Sequence, residues 1–297
     1  MAIGLITYMD SVRPEDVTGL INNVDFESTP FMSSIGEGTA TNTLHEWLTD
    51  TYASSAVNSA IEGSDATVVD HTQPSRSNNV VQLFRKVVTV SDTEQAIPHY
   101  GMTSPLSYQT TKALKELARD MEKAFVAGTK SSGSSGIARY MDGAIAQITT
   151  NKTARASGTS YTEDEFNATV AGIFDNGTDA TVDLVLAGSY LKRVIDKWNT
   201  KTTSNLNAAD YKQILRVDLY TGSFGTSRIA LSREVPAGAV LYVDTAKWRK
   251  DYLVNRRPTA TPLAKTGSST KVLIEGEVTL SGLNQKSSAY RSGYFIG

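Results

Sequence analysis

A chain of 297 residues with 40% apolar content has material for one large core or two modest ones, and without cysteine it forms no disulfide, thiolate nucleophile or cysteine-ligated metal centre. Its formal net charge of -2 is not that of a dedicated nucleic-acid binder, whose affinity comes from Lys and Arg neutralising phosphates. No apolar run approaches the roughly 20 residues of a membrane-spanning helix, and the amino terminus lacks the basic-then-apolar pattern of a secretion signal.

The charge is segregated along the chain. Residues 1–84 hold eleven carboxylates, no lysine and only Arg13 and Arg76, whereas from Arg85 onward 27 basic residues face 20 acidic ones. Such a split suits self-assembly, in which complementary charge orients neighbouring copies; it also fits compositional drift in a loop-rich segment, and charge alone weighs the two evenly.

In chain order, residues 1–43 read as an irregular arm punctuated by Arg13-Pro14-Glu15-Asp16, Ser28-Thr29-Pro30 and Gly36-Glu37-Gly38. Leu44 to Leu48 form a short strand, nearly thirty residues rich in Ser, Ala, Asp and Thr follow, and a return strand runs from Asn79 to Val90. That is an extended hairpin, and loops of such length inside compact domains are usually functional. Ser91-Asp92-Thr93-Glu94 is a capping box for a helix that Pro98 ends. Ser104 and Pro105 open a longer helix carrying Leu114, Leu117, Ala118, Met121, Ala124 and Phe125 at three- and four-residue steps until Gly128. At 1.5 Å per residue this helix is on the order of 35 Å long.

The tract from Lys130 to Gly136 reads as a flexible joint or a mobile loop. An α/β unit follows: a capping box at Thr162 to Glu165 opens a helix with Phe166, Val170, Ile173 and Phe174. Val182 to Leu186 is a buried strand, and Ser189 starts a helix with Leu191, Val194, Ile195 and Trp198 on one side. Strands are expected at Ile214 to Tyr220, Ser227 to Leu231 and Ala239 to Val243, and from Trp248 the pattern is almost wholly β, ending in the run Lys271 to Leu280.

Catalytic chemistry finds little footing. His45, His71 and His99 stand at no metal-ligand spacing and read as structural or surface histidines. There is no nucleophile elbow and no dinucleotide fingerprint, and Gly128 to Gly133 has phosphate-loop residue types in the wrong order, after a helix instead of before one. Asp120 and Glu122, among Lys112, Lys115, Arg119 and Lys123, read as a solvated helix face. The sequons at Asn151, Asn167 and Asn176 are discounted for want of a secretion signal. Arg249, Lys250, Arg256 and Arg257, interleaved with Trp248 and Tyr252, read as a basic patch receiving the acidic arm or hairpin, in preference to nucleic acid. No cofactor, metal site or enzyme activity is expected.

The motifs Thr29-Pro30-Phe31, Trp47-Leu48-Thr49-Asp50 and Val90-Ser91-Asp92-Thr93 accompany this layout, with Arg76-Ser77-Asn78-Asn79, Gln82, Lys86, Ala264-Lys265-Thr266-Gly267 and Glu275. Together they resemble the major capsid protein of tailed bacteriophages, the Hong Kong 97 fold. The resemblance implies an α+β chain with an N-terminal arm (1–43), an extended hairpin (44–90), a peripheral domain with the spine helix (91–135) completed by terminal strands (246–297), and an axial domain (136–245). It implies hexamers and pentamers in an icosahedral head around weakly contacted double-stranded DNA. Phe31, Trp47, Asp50, Glu62, Asp65, Arg256 and Arg257 are the candidate inter-subunit contacts. Portal and cement proteins are possible partners, no membrane is involved, and the virion capsid, assembled in the host cytoplasm, is the expected location.

Two features depart from the type member of that fold. Thr29-Pro30-Phe31 lies close to Met1, which implies a separate scaffolding protein or none, and residues 50–85 contain no lysine for an isopeptide cross-link. Two other classes stay open: another phage structural protein, such as a tail-tube or decoration protein, and an α/β hydrolase or transferase with a regulatory N-terminal appendage.

Overall fold

The computed structural model describes residues 28–65, 73–99, 104–176, 181–198 and 218–296. The arm from 1 to 27, His71 and the expected strand residues before 218 lie outside the described residues. In chain order the elements are α1 (Pro30–Ser34), β1 (Gly36–Ala40), β2 (Leu44–Thr49), β3 (Ser75–Val80), β4 (Gln82–Ser91), α2 (Asp92–Ala96), α3 (Pro105–Ala127), α4 (Ala144–Gln147), β5 (Lys152–Thr159), α5 (Glu163–Asp175), β6 (Leu184–Ala187), α6 (Ser189–Trp198), β7 (Leu219–Gly222), β8 (Gly225–Leu231), β9 (Val240–Val243), β10 (Trp248–Leu253), β11 (Thr259–Pro262), β12 (Ser269–Gly282) and β13 (Ala289–Tyr294).

Local chemistry places the helix starts where the sequence predicts them. The Ser91 hydroxyl accepts the Glu94 N–H to cap α2, Thr162 accepts the Glu165 N–H to cap α5, and Pro105 opens the 23-residue α3. Each cap satisfies a backbone donor that a helix start leaves unpaired.

The chain divides into two compact units, one of Lys86–Lys115 and Ala260–Ile274, the other of Ser28–Arg85, Glu116–Thr259 and Glu275–Gly297. In the smaller unit the Asp92 carboxylate accepts Lys265 Nζ at 2.7 Å and the Ser268 hydroxyl at 3.2 Å, and the Asp92 N–H donates to the Ser268 carbonyl. In the same unit His99 Nε2 meets the Glu94 carbonyl at 2.8 Å.

The larger unit contains a six-stranded sheet in the order β5-β13-β9-β6-β8-β7. The central strands β6 and β9 are buried along their whole length, which is why Leu184–Ala187 and Val240–Val243 are continuous apolar runs. Helices α5 and α6 supply Phe166, Val170, Ile173, Leu191 and Ile195 to the same core. A second sheet runs β1-β10-β12-β11, with β4 also paired to β12, and the β2–β3 pair forms a two-stranded sheet of its own. Phe31, Leu117, Met121, Phe125 and Trp248 are buried in this unit, and the Phe31 and Trp248 rings meet edge-on at 6.1 Å.

Four expectations change. The single return strand from Asn79 to Val90 is two strands, because pairing passes at Val81 from β2 to β12. The block 246–297 is divided, since β13 pairs with β5 and β9 in the six-stranded sheet while β10 and β12 pair in the other. The Gly/Ser tract is a small hydrogen-bonded hairpin in which Ser131 pairs with Tyr140 and Ser134 with Ile137. Gly133 and Gly136 take positive φ there, so the glycines serve a tight turn and not a joint. Finally, Glu122 is not on a solvated face: it is 1% exposed.

Candidate assembly surfaces

The two-stranded hairpin is antiparallel, with Leu44 opposite Val80 and Thr49 opposite Ser75. Beyond it, residues 51–60 have no regular structure and are exposed throughout. Three large apolar side chains on that excursion stand almost wholly in solvent: Tyr52 at 104%, Val57 at 96% and Ile61 at 82%. Fully burying a Val or Ile side chain is worth roughly 1.5–3 kcal/mol, so three large side chains left outside the core on one excursion are apolar area open to burial by a partner. Asp50 accepts the Thr51 N–H on its own loop, and Glu62 and Asp65, on either side of the turn at Gly63, are exposed.

The root of the hairpin, by contrast, is tightly held. Asn79 is fully buried; its amide nitrogen donates to the carbonyls of Leu280 at 2.8 Å and Asp142 at 3.0 Å, while its oxygen accepts the N–H groups of Val80 and Asp142. All of its major hydrogen-bonding capacity is used, as burial of an amide demands. The Thr279 hydroxyl donates to the Val80 carbonyl, and Trp47 Nε1 donates to the Gly282 carbonyl at 3.1 Å. His45 Nε2 lies 3.3 Å from Asp251 Oδ2.

Asp251 also accepts the Ser281 hydroxyl, and Arg249 Nε at 3.0 Å. Burial alone would raise its carboxyl, but hydrogen bonds from His45 and Ser281 and the charge of Arg249 outweigh that and hold it below its ordinary value. Ser281 and His45 both address the carboxylate and not each other, so this grouping lacks the nucleophile–base contact of a hydrolytic triad. Gly38 makes room for it: a Cβ there would sit 1.9 Å from Asp251 Oδ1.

The basic cluster is largely engaged within its own chain. Arg256 pairs with Glu275 and Glu277, each at 3.0 Å, and Arg85 and Arg139 reach the same two carboxylates at 3.5 and 3.2 Å. Arg257 pairs with Glu37 at 3.0 Å and lies over the Tyr252 ring, while Lys250 meets Glu37 at 3.2 Å and the Met32 carbonyl at 3.0 Å. The hydrogen bond from Lys250, aided by Arg257, outweighs desolvation and holds the Glu37 carboxyl below its usual value.

The sequence-predicted contact residues therefore separate. Phe31 is a correction: its ring is fully buried against Trp248, because α1 brings it to the core of its own unit. Trp47 is half-buried at the hairpin root, and Asp50, Glu62 and Asp65 are exposed. Arg256 and Arg257 are drawn to internal carboxylates. Sequence reasoning missed Tyr52, Val57 and Ile61, whose signal is isolated large apolar residues in a stretch otherwise built of Ser, Ala, Asn and Thr. Asn79 enters the sequence reading only as the start of the return strand and as a motif residue, and its anchoring role has no local signal because the strand around it is polar.

The SU10 major capsid protein family matches residues 5–293. The chain is 29% identical over 327 residues to the major capsid protein of Escherichia phage Phieco32, covering 93% of this chain and 92% of that one. Among solved structures it is similar to the capsid asymmetric unit of cyanophage A-1(L), with a TM-score of 0.68, 11% identity and coverage of 98% and 100% of the two chains. It is likewise similar to the capsid of cyanophage P-SCSP1u, with a TM-score of 0.67, 11% identity and coverage of 97% and 96%. At such identity these structures speak to the fold, which is Hong Kong 97-like, while the family match spans nearly the whole sequence. With an exposed apolar hairpin on a firmly held root, the chain belongs to the SU10 major capsid protein family, as a subunit of a tailed-phage capsid shell.

Proposed function

We propose that the hairpin of each subunit lies over a neighbouring copy, and that repetition of this contact closes hexamers and pentamers into an icosahedral head around double-stranded DNA. The observation that carries this reading is the exposure of Tyr52, Val57 and Ile61 on an excursion whose base is fixed by Asn79. A contact of this kind adds apolar burial that the single chain forgoes, and multiplied over a closed shell even modest contacts become stable.

In this reading residues 1–43 are the arm, 44–90 the extended hairpin, 91–135 with β10, β11 and β12 the peripheral domain, and 136–245 with β13 the axial domain. The near-neutral charge leaves packaged DNA only weakly held, so filling and ejection are unhindered. In the same reading the head is assembled in the host cytoplasm, with portal and cement proteins as possible partners, and the subunit's role is structural, without catalytic turnover. Electron microscopy of the purified protein tests the reading: closed shells are expected, and tubes or dispersed particles would overturn it.

A further inference from the structure

The β2–β3 ribbon pairs with neither larger sheet, and an isolated two-stranded ribbon is marginally stable at best. Its direction therefore depends on side-chain fastenings at its root. Most of these are insensitive to pH: the four hydrogen bonds of Asn79, the Thr279 hydroxyl on the Val80 carbonyl and the Trp47 indole on the Gly282 carbonyl. His45 differs, because an imidazole can carry a proton and a charge that the other fastenings cannot.

We propose that His45 and Asp251 form a protonation-dependent clasp at the hairpin root, firm when the imidazole is charged and loose when it is neutral. Among the described residues, these groups face His45. β10 presents the Asp251 carboxylate, with Arg249 on that carboxylate's other oxygen; β12 presents Ser281; the cross-strand partner on β3 is Asn79; and β2 itself contributes Trp47, whose ring centroid is 5.8 Å away. Asp251 is the one carboxylate in this set, so charging the imidazole adds attraction without an offsetting like charge nearer than Arg249.

Release is also cheap. When the imidazole loses its charge, Asp251 keeps Arg249 and Ser281 as donors and is not left as an unpaired buried anion. A fastening that can be lost without orphaning its partner behaves as a hinge, whereas loss of Asn79 would strand several backbone groups. The effect on assembly rests on the hairpin reading above; the clasp does not.

Hydrogen exchange of the unassembled full chain, read over Leu44–Thr49 as the ratio of wild type to H45Q, tests the clasp. Charge-assisted hydrogen bonds are about twice as strong as neutral ones, so protection relative to H45Q is expected to be about tenfold greater near pH 5.5 than near pH 8. A ratio that stays flat overturns the proposal. Should H45Q not fold, judged by lost protection over Leu184–Ala187 and Val240–Val243, the wild-type chain answers alone. Its Trp47 indole N–H resonance is expected to move between pH 5.5 and pH 8, and an indole signal that stays in place across that span overturns the clasp. Since both readouts use unassembled chains, their failure leaves the shell reading standing, while dispersed particles in the microscope would remove that reading and leave the clasp.

Discussion

Glu122 and Phe31 lie 91 positions apart, yet Glu122 Oε1 accepts the Phe31 N–H at 2.8 Å while its other oxygen accepts the Met32 N–H at 2.7 Å. Thr29 makes no side-chain cap for α1, so a carboxylate from the spine helix caps it instead. Burial pushes the Glu122 carboxyl up, reinforced by Glu234 and opposed by the two N–H groups and Lys250. A carboxyl raised in the folded state contributes stability that is fully present below the ordinary value of 4.5 and is lost as pH rises through the raised value.

E122Q has one acceptor for two donors and is expected to lower subunit stability by about 1–3 kcal/mol. Denaturant unfolding at several pH values checks both effects. The advantage of wild type over the variant should be larger near pH 4.5 than in mildly alkaline buffer, and a gap that widens with pH would contradict the argument.

The hairpin anchors should separate assembly from folding. Replacing Tyr52, Val57 and Ile61 together by Ser is expected to leave subunit stability within about 0.5 kcal/mol, as for other exposed sites, and to abolish shells. Neutralising Glu62 and Asp65 to Gln and Asn should slow assembly without preventing it. Calorimetry of the subunit beside light scattering of the assembly reaction distinguishes these outcomes.

Bridging Asp50 directly to Ser75 with a short Gly-rich turn is a more severe cut. Thr49 and Ser75 are already paired across the ladder, so a tight turn closes the ribbon. The truncated subunit is expected to stay folded and soluble and to form no particles; normal heads from it would refute a role for the excursion.

Much of this architecture is legible in the sequence because its signals are local. Ser91 and Thr162 announce their helices by capping, and the continuous apolar runs at Leu184–Ala187 and Val240–Val243 announce buried strands. What the sequence conceals depends on partners far along the chain. Glu122 looks like surface charge beside Lys123 until α1 delivers two N–H groups to it, and Arg256 looks like a free cation until β12 delivers Glu275 and Glu277. The passage of the chain from one sheet to another at Val81 has no local marker either, since Val80, Val81 and Leu83 continue one apolar pattern.

The arginine pairings redirect the electrostatic test. R256E would set a third carboxylate beside Glu275 and Glu277, so it should lower the melting temperature of the isolated subunit more than R257E, whose partner Glu37 retains Lys250. Assembly defects of R256E would then reflect folding, and R257E is the cleaner probe of charge between subunits. If that charge matters, added salt should slow the wild type as well, because the Debye length falls to about 8 Å at 0.15 M.

Covalent locking of the shell has no chemistry to draw on in the hairpin excursion, because residues 50–85 contain no lysine, the first of the chain being Lys86 on the return strand, and cysteine is absent throughout. Particles boiled in denaturing detergent are expected to release a single band near 32.0 kDa. A ladder of larger species would show that a lysine outside residues 50–85 forms cross-links.

The shift of pairing at Val81 also makes the hairpin a lever. A six-residue ladder rises about 3.3 Å per residue, so its far end stands roughly 20 Å from the root. Turning such an arm by about ten degrees, well inside the scatter of natural strand twist, carries the far end through about 3 to 4 Å. That is close to a whole strand residue of travel, and on the proposed hairpin reading it would let identical subunits meet neighbours inclined at different angles while their cores stay the same.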